Sequence, residues 1–302
     1  MKTTALFSPE PAKGWMPWGA LAPVLCLVIV ALPAIAAWKI EKIFGLVSAK
    51  GDPLGFAGLC SLLFLEFGVT GALLFGWVRL VERRSLPTIG LVAERPLRTF
   101  LSGQAVGLAT AAGVVAAIFL GGGYAVGEAF AAWSSPVALA KIVVLFLGFA
   151  VQSSVEEILF RGWLMSAIAR KLNVAWAVVL VSLVFMLLHY GPGQHWSLML
   201  GTFLFSLFAC GWALRAGNIW GVMGWHAAWN WLLAVGFEVP ITGLDVQVPA
   251  LLVKLSPVGS DALTGGAEGP EGSFLCTLFL AAASAWLFWR YLRNHAPRRE
   301  ET

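Results

Sequence analysis

The sequence predicts an all-α fold, a polytopic transmembrane helical bundle of about eight spans. Hydrophobic residues make up 59% of the 302 residues and charged residues 12%, roughly half the charge of a soluble domain. The basic residues, which give a formal net charge of +4, gather beside the apolar runs as orientation signals do, so they call for no nucleic-acid partner. Cys26, Cys60, Cys210 and Cys276 each sit inside an apolar run. With neither metal-type spacing nor a disulfide framework, they read as small core residues.

A polar lead-in with Lys2 and Lys13 precedes the first span, Trp15 to Trp38, which has tryptophan at both ends where an aromatic belt would lie. Ala34-Ile35-Ala36 could pass for a signal-peptide cleavage site, but the apolar region starts late for that, and a retained span is expected. The second span is about Leu54–Val78 and contains Glu66; the third is about Thr99–Leu120. The run Val137–Leu172 reads as helix throughout. It would be about 54 Å long, too long for one straight crossing of a hydrocarbon core of about 30 Å. Either it tilts and projects into water, or it breaks near Gln152-Ser153-Ser154.

The fifth span, about Val174–Tyr190, ends at a Gly191-Pro192-Gly193 turn. The sixth is about Ser197–Leu214, the seventh about Ile219–Phe237, and the eighth about Ser273–Leu292, followed by a basic tail with Arg293, Arg298 and Arg299. Alternation from a cytoplasmic N-terminus puts the segment with Arg79, Arg83, Arg84, Arg95 and Arg98 inside, together with Arg170-Lys171, Arg215 and the tail. The acidic loop 238–272 and the base-free loop 121–136 then fall outside. Lys39, Lys42 and Lys50 are the one violation. Residues 1–302 are expected to form a single integral membrane domain with both termini cytoplasmic, and composition suggests a bacterial inner membrane.

The informative stretch is Gln152-Ser153-Ser154-Val155-Glu156-Glu157-Ile158-Leu159-Phe160-Arg161-Gly162. Ionised groups in hydrocarbon are costly and usually face a bundle interior or a cavity. On a helix Glu157 and Arg161 stand four apart and can pair, while Glu156 points about 100° away and is left free. Two further spans carry polar pairs at the same spacing, Phe185 with His189 and His226 with Asn230. Counted from the Arg170–Asn173 turn, Glu156 and His189 lie at similar depth, about 21 and 22 Å along their helices. His226 and Asn230 come out shallower, about 12 and 18 Å, unless the hairpin of spans four and five projects past its neighbours. A carboxylate beside a histidine can share a water and take its proton. A second histidine and an amide can donate to a developing oxyanion.

The ordered set Glu156-Glu157-x-x-x-Arg161, Phe185-x-x-x-His189 and His226-x-x-x-Asn230 resembles the CAAX-protease and bacteriocin-processing (CPBP) family of intramembrane endopeptidases. Ile89-Gly90-Leu91 upstream also looks like a family feature. The resemblance covers about residues 140–235, a catalytic core of spans 4–7, and implies peptide-bond hydrolysis in a cytoplasm-accessible cavity within the membrane. It implies that Glu156 and His189 activate water, that His226 and Asn230 stabilise the oxyanion, and that Glu157 and Arg161, with Phe185, brace the site. No cofactor is required by this reading. The alternative is Zn²⁺ held by Glu156, His189 and His226, a three-ligand set with an open position. The implied partners are membrane lipids and a peptide or protein substrate at the membrane, lipidated or membrane-anchored. The reading from another class is a non-enzymatic membrane protein, either an ion or proton pathway or a peptide-toxin immunity protein.

Overall fold

The computed structural model describes residues 6–191, 194 and 196–295. Lys2, Pro192 and Gly193 of the expected turn, and Arg298 and Arg299 of the tail, lie outside these residues. Eight long helical segments form the bundle: α1 Leu21–Ile43, α2 Gly55–Val81, α3 Pro96–Leu120, α4 Pro136–Lys171, α5 Val174–Leu188, α6 Trp196–Ala216, α7 at 220–236, and α8 Phe274–His295. Among the described residues, six helices are long and apolar enough to cross a membrane. The exceptions are α5, with 15 residues, and α7, with 12 α-helical residues and 5 in wide π turns. Their outer neighbours expose large apolar side chains such as Leu32, Leu80, Leu120 and Leu278, the surface that lipid covers.

Two expected boundaries shift. α1 begins at Leu21 rather than Trp15 and runs on to Ile43. The preceding residues are held instead against the end of α2, where the Gly14 and Trp15 amides donate to Glu82 and Val81 carbonyls. Trp15 there meets Trp77 edge to face, with centroids 5.9 Å apart. The long fourth helix does not break at Gln152-Ser153-Ser154. It stays α-helical through Glu157 and then widens into π-helical turns over Ile158–Leu164 before resuming. Such insertions recur beside functional sites because they re-aim side chains without ending the helix.

α7 is the central helix, buried on all sides from Gly221 to Asn230. Glycine lets it sit so deep. A Cβ added at Gly103 of α3 would lie 1.9 Å from the Gly221 carbonyl oxygen, and one added at Gly224 would lie 2.0 Å from that of Phe100. Small residues four apart, Gly103 and Gly107, bring the α3 and α7 backbones into contact. α4 packs along another side of α7, and α6 runs between α7 and α8.

The basic connection after α2 folds back under this core. Arg84, buried, donates to Glu82 Oε2 at 3.0 Å, to the Thr88 carbonyl at 2.8 Å and to Ser166 Oγ at 2.7 Å. Glu82 Oε1 in turn accepts from the indoles of Trp77 and Trp163. Burial lowers the pKa of the Arg84 guanidinium, and the Glu82 carboxylate acts against that. Gly90, in the left-handed conformation at φ 82, ends the turn 86–89, and its carbonyl accepts from Ile219, just before α7. This connection fixes where α7 starts relative to α4.

At the opposite end the chain departs from all-α. β1 (Tyr124–Ala129) and β2 (Val253–Pro257) pair antiparallel, with Tyr124 opposite Pro257 and an irregularity between Val126 and Ala129. The base-free loop and the acidic loop therefore share one face of the bundle, as strict alternation of spans requires.

Candidate active site

Glu156 and Glu157 end the α-helical part of α4 and diverge around it. Glu157 is fully buried, and its Oε1 accepts from Arg161 Nη1 at 2.9 Å, the i,i+4 pair. The same oxygen lies 2.9 Å from His226 Nδ1. A carboxylate oxygen only accepts, so the imidazole donates through Nδ1–H, and Nε2 is left facing the other carboxylate. His226 Nε2 lies 3.9 Å from Glu156 Oε2. That oxygen has no hydrogen-bond partner among the described residues although Glu156 is only 8% exposed.

His189 is where α5 stops. At 15 residues the helix rises about 22 Å, short of a hydrocarbon core of about 30 Å, so its last turn ends within the bundle. His189 Nδ1 lies 2.8 Å from the Phe185 carbonyl, which fixes Nδ1–H as donor and leaves Nε2 open. The Phe185 ring is 4.3 Å from the His189 ring and 4.4 Å from the Arg161 guanidinium carbon. One aromatic side chain thus ties the Glu157–Arg161 pair to the second histidine.

His226 and Asn230 are not shallower than the carboxylates. The contact between Glu157 and His226 requires the α4–α5 hairpin to extend about 10 Å beyond the start of α7, from the residue counts on each side. This is the projection that the length of α4 allowed. Asn230 Nδ2 donates to Gln152 Oε1 at 3.2 Å, and Ser153 Oγ donates to the same oxygen at 3.0 Å. Gln152 was expected only as a possible helix break, yet it holds the amide of Asn230. The signal was available, since Gln152 stands four residues before Glu156 and shares its helix face.

These groups meet at one cavity of ≈ 330 Å³, whose lining includes Gln152, Glu156, Phe185, His189, His226 and Asn230. Its far wall is Ile241, Thr242, Leu244 and Glu271, from the acidic loop. Glu271 is pinned there: Oε1 accepts from the Trp229 indole at 3.0 Å, and Oε2 accepts from the Thr242 amide and hydroxyl at 2.8 Å each. Among the described residues, no lining residue comes from the basic connections. The sequence expectation joined a cytoplasmic mouth to a cytoplasmic N-terminus. The lining comes instead from the helix turns and loops toward the end of the bundle that carries loops 121–136 and 238–272.

The zinc alternative needs Glu156, His189 and His226 to converge on a point. Among the described residues no three His, Cys, Asp or Glu side chains are placed to hold a metal ion. His226 has one ring nitrogen committed to Glu157. The residues as placed do not fit a three-ligand site.

No curated protein and no solved structure matches the chain. Residues 138–232 match the family model described as Type II CAAX prenyl endopeptidase Rce1-like. That segment, about a third of the chain, holds both carboxylates, Arg161, Phe185, both cavity histidines, Asn230 and Gln152, so the residues of the site fall inside the part of the chain that is similar to the Rce1-like CAAX endopeptidases.

Proposed function

We propose that this integral membrane protein is an endopeptidase that hydrolyses a peptide bond in the cavity at Glu156. The observation that carries the reading is a free carboxylate, Glu156 Oε2, sharing that cavity with two histidines of fixed ring orientation and one amide. Water bound between Glu156 and His189 Nε2 attacks the carbonyl carbon as its proton passes to Glu156. The tetrahedral oxyanion is met by His226 Nε2–H and by the Asn230 amide. For that donation His226 is the imidazolium, with Glu157 as counter-ion 2.9 Å away. Collapse of the intermediate breaks the C–N bond, and the leaving amine takes the proton from Glu156. No metal enters these steps.

The substrate we propose is a membrane-anchored peptide segment. It reaches Glu156 from the face that carries loops 121–136 and 238–272, which the charge pattern makes the extracytoplasmic face. The family's printed name offers prenylated peptides as one substrate class. The deciding experiment is cleavage of a lipid-anchored reporter peptide by the detergent-purified chain and by Glu156→Gln. Equal cleavage by both proteins sinks the reading.

A further inference from the structure

Glu66 belongs to none of the motifs, yet it faces the same centre from behind. A second cavity, ≈ 210 Å³, is lined by Val30 of α1, Glu66, Phe67 and Thr70 of α2, and Val155 and Leu159 of α4, and it also touches Glu156 and His189. Phe67, Glu156 and His189 line both cavities. The two spaces therefore meet at the water-activating pair, and a peptide whose scissile bond sits there has a chamber on each side of it. The smaller one equals the liquid volume of about seven waters, enough for one extended side chain.

Its walls are apolar apart from Glu66, Thr70, Glu156 and His189. The Thr70 hydroxyl is spent on the Glu66 carbonyl, and no protein group donates to the Glu66 carboxylate among the described residues. Glu41 of α1 is 4% exposed, and its Oε1 has no partner among the described residues. The nearby lysines do not neutralise these acids. Lys42 lies over the Trp38 ring and Lys141 over the Phe56 ring, and no ion pair joins either to Glu41 or Glu66. With Glu156 Oε2 also unpartnered among the described residues, the cavity offers two carboxylates, Glu66 and Glu156, and its lining holds no lysine or arginine. An apolar occupant would strip water from Glu66 and return nothing, which is costly. A cationic tip on an aliphatic stem satisfies both the carboxylate and the walls.

We propose that this second cavity is a substrate side-chain subsite in which Glu66 selects a lysine or arginine next to the scissile bond. The proposal rests on the reading of Glu156 as the base. It is tested with the full chain in detergent and peptides that differ only at the residues flanking the cut: lysine, arginine, glutamine or norleucine. Wild type is expected to cleave the lysine or arginine peptide at least about tenfold faster in kcat/KM than the norleucine peptide, the scale of one charged hydrogen bond. Glu66→Gln is expected to bring that ratio to within about twofold, slowing the lysine and arginine peptides and speeding the norleucine peptide, because the carboxylate no longer has to be dehydrated. Glu66→Asp, which keeps the charge, is expected to retain part of the preference and covers a Glu66→Gln chain that does not fold. A wild type without cationic preference, or a preference that survives in Glu66→Gln, overturns the proposal. A chain that cleaves no peptide overturns the hydrolytic reading instead. The subsite is then decided by the affinity of lysine and norleucine peptides for the Glu156→Gln chain with and without Glu66→Gln, where equal affinities refute it.

Discussion

His226 Nδ1 and Arg161 Nη1 both lie 2.9 Å from one atom, Glu157 Oε1. Glu157 is thus more than the partner of an arginine four residues on. It orients the imidazole whose other nitrogen faces Glu156, so the two adjacent carboxylates act on the same ring from different directions.

This relationship separates two substitutions. Glu157→Gln leaves Arg161, fully buried, without its counter-charge, and breaking such a pair costs about 3–5 kcal/mol. It also frees the His226 ring. Both thermal stability and cleavage are expected to fall. Glu156→Gln keeps the shape and removes the base, so melting stays near wild type while the chemical step slows by about two to four orders of magnitude. Expression, melting curves and single-turnover cleavage of both variants check this. A Glu157→Gln chain that folds and is dead beside an active Glu156→Gln chain would reverse the roles.

Gln152 holds Asn230 through a 3.2 Å hydrogen bond. Gln152→Ala is expected to lower kcat about tenfold by letting the amide rotate away, with about 1 kcal/mol lost from stability for the bond itself. Gln152→Glu keeps an acceptor at that position and is expected to recover most of the rate. Gln152→Met, which keeps the volume and removes the acceptor, decides between positioning and packing in steady-state kinetics: a packing role predicts that it recovers the rate, a positioning role that it does not.

Access from the looped face is testable by labelling. Thr242 lines the large cavity from the acidic loop. In a chain with Cys60 changed to alanine, Thr242→Cys is expected to react with a membrane-impermeant thiol reagent added to intact cells, and Arg170→Cys only after the cells are opened. The reverse pattern would put the cavity mouth in the cytoplasm and turn the orientation over.

Metal removal supplies a further check. Because no three of the described acidic, histidine or cysteine side chains are placed around one point, dialysis against a strong chelator is expected to leave cleavage within about twofold of the untreated rate. Loss of activity restored by added Zn²⁺ would require Glu156, His189 and His226 to rearrange into a ligand set.

The bundle and its order of helices follow from the sequence alone, because apolar runs of membrane length have one way to satisfy their backbones in lipid. The Glu157–Arg161 pair was legible for the same kind of reason: helical spacing fixes which side chains four residues apart can meet. Which histidine meets which carboxylate was not legible. That depends on the depth and rotation of α7 against α4, set by backbone contact at Gly103, Gly221 and Gly224 and by the tether from Gly90 to Ile219. Gly103 and Gly107, four apart, mark a face of close approach, but nothing in their spacing names the helix they meet. The same holds for the acidic loop. Its charges put it on one face of the membrane, but only the hydrogen bonds of Glu271 to Trp229 and Thr242 make it a wall of the cavity. Short-range spacing is written in the order of residues, whereas the meeting of residues about 70 positions apart is decided by how whole helices pack.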